Sequence, residues 1–347
     1  MLVSGSVVDH SQRKNDRHSN RDSPMIVYIT TRGHGRTLRS LSRRTFGFPT
    51  PRLVVDCYER LLGCRRVPQA TYIFADIERL APWELTLAAE FFRVLSEAGL
   101  RCLNNPARAM SRVELLRTLK GAGFNPFDVT RADEQPRPAR FPVFLRFEMD
   151  HNHILSDLLY SQEELDHKLT DFRNAGLSLR GVLVIEHWAE PYSDGLWHKW
   201  GTYRVGSAVL VDHIAVDTNW CVKYGVWDKL TDAAILDEHD AVKSNRYAAA
   251  LTPIFDIAGI NFGRADHATV SGETAVYEIN TNPYIGPFVP DPKPLRRQTQ
   301  MLARQRFAAA LDAIDTSTPG FIDVPSTELL HGRRQRWRFG WLGPRRP

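Results

Sequence analysis

Apolar and polar positions follow two spacings along the chain. "MIVYIT", "RLVVDCY" and "TYIFADI" are short apolar runs rich in β-formers. "PWELTLAAEFFRVLSEAG" repeats apolar residues at helical spacing, with Pro82 near its start and Gly99 at its end. Strands alternating with a helix predict a small α/β unit over about residues 25–106. A second stretch begins at "NNPARAMSRVELLRTLKGAGF", where Ser111 and Glu114 have the spacing of a capping box and the helix ends near Gly121. "FPVFLRF" reads as a strand, "SQEELDHKLTDFRNAG" as a helix and "RGVLVIEHW" as a strand. "YRVGSAVLVDHIAVD" reads as a hairpin turning at Gly206-Ser207, and "VKSNRYAAALTPIFDIAG" as a helix broken or kinked near Pro253. "INFGRADHATVSGETAVYEINTN" is a second hairpin, and residues 292–313 form a last helix. No internal repeat is visible.

Composition narrows the class. The chain has 347 residues, 43% hydrophobic and 24% charged, which suits about two domains of a soluble globular protein. No run reaches the ~18 apolar residues of a membrane span, and the N-terminus lacks the apolar core of a signal peptide, so a cytoplasmic location is expected. Residues 1–24 are polar and read as a disordered segment, which leaves Met25 as an alternative start. Six arginines in residues 331–347 account for the whole net charge of +5. The body is therefore near neutral, which argues against a broad nucleic-acid-binding face. Cys57, Cys64, Cys102 and Cys221 form no CxxC pair and read as reduced thiols.

The chemistry concentrates in "YEINTNPYIG". Side chains two apart on a strand share a face, so Glu278 and Asn280 point the same way. A three-residue turn at 271–273 would set Asp266 directly opposite Glu278, whereas a two-residue turn would set it opposite Tyr277. Opposed carboxylates repel unless a cation lies between them, and two carboxylates with an amide oxygen suit Mg²⁺, with Mn²⁺ as an alternative. The plainer possibility is a solvated hairpin face carrying ordinary acids. Arg264 shares the face of Asp266 and either pairs with it or stabilises an oxyanion.

Over roughly residues 104–315 these residues resemble the ATP-grasp ligases, in particular D-alanine–D-alanine ligases and ribosomal-protein glutamate ligases. The resemblance implies an α/β (α+β) chain with the ATP-grasp fold and an N-terminal α/β pre-ATP-grasp subdomain. Its parts would be 25–106, a central subdomain 107–186, a C-terminal subdomain 187–315 with the metal site, and a basic tail 316–347. Asp266, Glu278 and Asn280 match the family's metal set, and Arg264 matches the arginine that stabilises its acyl-transfer intermediate. Arg112 and Arg146 stand where the family carries nucleotide-phosphate cations. "VLVIEHWAE" is similar to the hinge strand, where Glu186 and the backbone near Trp188 would meet adenine and Glu190 the ribose. Arg204 would contact phosphate or substrate.

The implied activity is ATP-dependent ligation of a small-molecule or peptide carboxylate to an amine (or thiol) through an acyl phosphate, with ATP and Mg²⁺ as cofactors. A phosphotransferase and a catalytically silent nucleotide-binding module are the alternatives. Two features depart from the family. Both phosphate cations are Arg where Lys is commoner. The span after Arg146, "FEMDHNHILSD", has no glycine, so His151, Asn152 and His153 would contact phosphates instead. "RGHG" lacks the third glycine of a dinucleotide fingerprint, and "HNH" lacks the spaced partners of a metal site. Trp188, Trp197, Trp200, Trp220 and Trp227 read as core or pocket wall.

Overall fold

The computed structural model describes residues 25–149, 154–193 and 195–330. The expectations for residues 1–24, His151, Asn152, His153 and the arginine-rich 331–347 lie outside the described residues.

Strands β1 (Met25–Thr30), β2 (Arg52–Cys57), β3 (Arg66–Pro68), β4 (Thr71–Phe74) and β5 (Cys102–Leu103) precede and follow helix α1 (Pro82–Glu97). Four of them form a parallel sheet in the order β2-β1-β4-β5. Val27, Ile29, Tyr72 and Phe74 pack on Leu87, Phe91 and Leu95 of α1. Ile26, Tyr28 and Ile73 bury the other face. A sheet covered on both sides explains why its strands are apolar runs rather than alternations.

Helix α2 (Arg112–Gly121) starts at the expected capping box. The Glu114 amide donates to Ser111 Oγ at 3.4 Å, and the Ser111 amide donates to Glu114 Oε2 at 2.8 Å. Strands β6 (Val129–Arg131), β7 (Val143–Phe147) and β8 (Val182–Glu186) form an antiparallel sheet, order β6-β8-β7. Helix α3 (Gln162–Asn174) covers one face through Leu165, Leu169 and Phe172. On the other face Leu183 and Ile185 pack with Val113 and Leu116 of α2. The three residues of β6 carry no pattern of their own, and the sequence reading passes over that strand.

The remaining elements are β9 (Trp197–Val205), β10 (Ala208–Asp217), α4 (Asp232–Ser244), α5 (Ala248–Ala258), β11 (Phe262–Val270), β12 (Glu273–Asn280), α6 (Pro294–Ile314) and β13 (Phe321–Asp323). A four-stranded antiparallel sheet runs β10-β9-β11-β12. Gly206-Ser207 makes the expected two-residue turn, and Asp212 is an extra residue in β10 between Val211 and His213. Trp200, Val211, Ile214 and Ala265 face α4 and α5. Tyr203, Val205 and Phe262 face Phe307 and Leu311 of α6, in the same core as Ile26 and Tyr28. Strand β13 pairs with β3, so part of the stretch after 315 is tied back to the N-terminal unit.

The helix expected to break at Pro253 breaks at Asn245 instead, and Pro253 lies inside α5. Asn245 takes a left-handed φ of 55°. Its side chain accepts from the Val211 amide at 2.9 Å and donates to the Val209 carbonyl at 2.7 Å, binding the helix end to β10. Asn245→Ala is expected to lower stability by about 1–3 kcal/mol, from two half-buried bonds and an unfavourable φ, as measured by denaturant unfolding.

Candidate active site

The site is built on the β11–β12 hairpin. Ser271 and Gly272, both with positive φ (52° and 83°), make a two-residue turn, the length that in an unbroken ladder would set Asp266 opposite Tyr277. Val270 stands opposite Glu273 and His267 opposite Val276, as that turn requires. Tyr277 is then an extra residue on β12, and beyond it Asp266 stands opposite Glu278 and Arg264 opposite Asn280. The expected pairing is present, reached by a β-bulge rather than by the turn. Arg264, Asp266, Glu278 and Asn280 therefore share one face of the sheet.

Asp266 is 3% exposed. Its Oδ1 accepts from Arg264 Nε at 2.9 Å and its Oδ2 from Lys199 Nζ at 2.6 Å. Burial pushes this carboxyl up, but Arg264 and Lys199 outweigh burial and hold it below the usual carboxylate range. Glu278 pairs with Arg112, and with Arg146 at 3.2 Å. The Arg112 guanidinium is anchored by the carbonyls of Phe147 (3.0 Å) and Glu148 (2.8 Å). Asn280 Oδ1 accepts from the Asn282 amide at 2.8 Å.

Four cations thus surround two carboxylates. Such cations suit a polyphosphate, whose oxygens could draw them off the carboxylates and free the acids for a metal. The donor set, two carboxylates and one amide oxygen, fits hard Mg²⁺. No third His, Cys, Asp or Glu joins it among the described residues. Gly201 lies opposite Asp266 across β9–β11. A Cβ there would stand 3.0 Å from His213 Cε1 and 3.3 Å from Arg264 Cδ, so the missing side chain leaves room for both.

A cleft opens in front of these groups, between the three-stranded and four-stranded sheets. Its charged end carries Arg146, Lys199, Asp266 and Glu278. Its other end is apolar, with Phe127, Phe144, Trp188, Trp220 and Val222. Trp220 meets Phe144 (5.0 Å between ring centres) and His187 (5.1 Å) edge-on. Burial lowers the pKa of His187, favouring the neutral ring. Burial also pushes the Cys221 thiol up, which disfavours a thiolate nucleophile.

Four further residues singled out from the sequence have partners within the protein. Glu186 lines the cleft, but its carboxylate accepts from the amides of Asp128 (3.0 Å) and Arg140 (3.1 Å) and so shapes the wall. Trp188 also lines the cleft, with the Arg140 guanidinium stacked 4.2 Å above its ring and its carbonyl accepting from the Tyr277 hydroxyl at 2.9 Å. Glu190 is not among the cleft-lining residues and accepts from the Ser271 amide at the hairpin turn, at 3.1 Å. Arg204 faces the helices, 2.6 Å from Asp256, because it has the opposite strand parity from Lys199, Gly201 and Tyr203. Lys199 was missed from the sequence. Its signal is position, two residues before Gly201 on the strand that flanks Asp266. Trp200 is a core residue packed on Tyr247, and the side chain of Trp227 lies outside the described set.

No family model matches the chain, and no curated protein matches it. Among solved structures it is similar to a D-alanine–D-alanine ligase from Bacillus anthracis complexed with ATP, at 13% identity and a TM-score of 0.49, covering 91% of this chain and 99% of that one. It is also similar to a RimK domain ATP-grasp protein from Sphaerobacter thermophilus, at 14% identity and a TM-score of 0.42, covering 85% and 99%. A third likeness is to a RiPP-associated ATP-grasp ligase from Chryseobacterium gregarium in complex with ADP and a leader and core peptide, at 12% identity and a TM-score of 0.43, covering 81% and 96%. At this degree of likeness, the chemistry of the site rests on its own geometry.

Proposed function

We propose that the chain is an ATP-grasp ligase that joins a carboxylate to an amine through an acyl phosphate. The observation that carries this reading is the cleft itself, with an apolar aromatic slot at one end and two opposed carboxylates ringed by four cations at the other. A purine fits the first end by stacking and apolar burial, and a polyphosphate fits the second by charge.

In this reading Arg112, Arg146 and Lys199 orient the phosphates in line with the incoming carboxylate oxygen. That oxygen attacks the γ-phosphorus, the bond to ADP breaks, and an acyl phosphate results. The amine lone pair then attacks the acyl carbon, phosphate leaves and the amine loses a proton. Arg264 stabilises the oxyanion between these events. Asp266, Glu278 and Asn280 would hold Mg²⁺ or Mn²⁺, which when bound neutralises charge on the phosphoryl oxygens. Glu186 and Trp188 form the wall of the base slot. Glu190 and Arg204 have no part in this mechanism.

The test supplies the chain with ATP, Mg²⁺, hydroxylamine and pooled carboxylic acids, including amino acids and short peptides. ADP and hydroxamate are expected in equal amounts, since hydroxylamine intercepts an acyl phosphate. ADP with a stable phosphorylated acid and no hydroxamate would mark a phosphotransferase. No ADP with any pool would overturn the reading.

A further inference from the structure

A second cavity, of about 430 Å³, lies between β9–β10, the 284–289 segment and α6. Much of its wall is apolar, including Phe46, Leu230, Tyr284, Ile285 and Phe307. It adjoins the reaction centre because the His213 ring and the Arg264 stem share the space over Gly201.

The arginines on its wall are held by other groups of the protein. Arg296 pairs with Glu238 (3.1 Å) and Asp291 (3.0 Å). The terminal nitrogens of Arg304 donate to the carbonyls of Phe46 (2.8 Å), Gly286 (3.2 Å) and Pro287 (3.1 Å). Asp212 is different. It is the extra residue of the β10 bulge, which brings it to the same side as His213, with Oδ2 at 2.6 Å from His213 Nδ1. It has no Lys or Arg ion-pair partner among the described residues. Burial raises its carboxyl, but His213, Arg264 and Arg304 outweigh burial and favour the ionised form.

We propose that this cavity receives the second substrate of the ligase, a primary amine on a short apolar or aromatic chain, its nitrogen held by Asp212 and His213 beside Arg264. This rests on the ligase reading for its role, whereas the binding itself can be measured without it. A carboxylate whose close partner is an imidazole selects a cation over an anion, and the aromatic wall selects an apolar chain over a polar one. The position next to Arg264 would put the amine within reach of an acyl group whose oxyanion that arginine stabilises.

The experiment titrates the full chain with phenethylamine, 2-phenylethanol and phenylacetate by calorimetry. Phenethylamine is expected to bind at least about tenfold more tightly than the alcohol, with phenylacetate weakest. Asp212→Asn is expected to remove the preference of amine over alcohol. Tyr284→Ala, at an exposed position safe for folding, is expected to weaken amine and alcohol alike severalfold. Equal binding of all three probes, stronger binding of phenylacetate, no binding of any, or an amine preference unchanged in Asp212→Asn would each overturn the proposal. A parallel titration with Mg²⁺ and a non-hydrolysable ATP analogue reports separately on the nucleotide cleft, so loss of one reading is distinguishable from loss of the other.

Discussion

Replacing Glu278 by glutamine is expected to lower Mg²⁺-dependent ATP consumption by about a hundredfold or more, read as ADP released with pooled carboxylates present. The change keeps the shape of the side chain and removes one of only two charges that could hold the metal. It also leaves Arg112 and Arg146 facing a neutral amide, so their balance with the phosphates is lost as well. Glu278→Ala goes further. Arg112 is 7% exposed, and Glu278→Ala removes the carboxylate that pairs with this buried guanidinium. Such broken pairs cost about 3–5 kcal/mol, so Glu278→Ala is expected to shift the denaturation midpoint strongly, whereas Glu278→Gln shifts it much less. Comparing the two variants separates the chemistry of the carboxylate from its part in holding the fold.

The second large effect is expected far from the chemistry, at Asn104. This side chain is fully buried, with a left-handed φ of 60°. Its Nδ2 donates to the carbonyls of Phe74 (3.0 Å) and Phe262 (2.7 Å), and its Oδ1 accepts from the amides of Asn261 (2.9 Å) and Phe262 (2.8 Å). One amide thus fixes the end of β4 to the start of β11. Asn104→Ala strands four backbone groups, three of them in buried bonds, and removes the asparagine that a left-handed φ favours. A loss of about 3–5 kcal/mol is expected in denaturant unfolding. Turnover measured below the transition should fall as well, because the strand carrying Arg264 and Asp266 begins at this joint.

Most of the elements were legible because their spacing is strong. The capping box of α2, the turn at Gly206-Ser207 and the apolar runs of the parallel sheet each have a local cause. The facing of Asp266 and Glu278 was only partly legible. The sequence leaves the turn length open, and an extra residue at Tyr277 sets the register, while a bulge has no reliable local signature. The side on which Arg204 stands is not readable from the sequence, because β9 is buried on both faces and alternation along it does not show which side meets the site. Lys199 reaches Asp266 only through β9–β11 pairing, a contact between residues 67 apart in the chain. Asn245 ends its helix through bonds to β10 that cannot be seen locally, whereas Pro253 is a visible signal that the structure tolerates.

The central claim is that this cleft binds Mg-ATP through the hairpin carboxylates and the cations around them. Calorimetric titration of the full chain with ATP, with and without Mg²⁺ and again with Glu278→Gln, tests it most directly. Saturable binding that strengthens at least about tenfold with Mg²⁺, and loses that gain in Glu278→Gln, is the expected result. No binding, or binding indifferent to both the metal and the substitution, would contradict it.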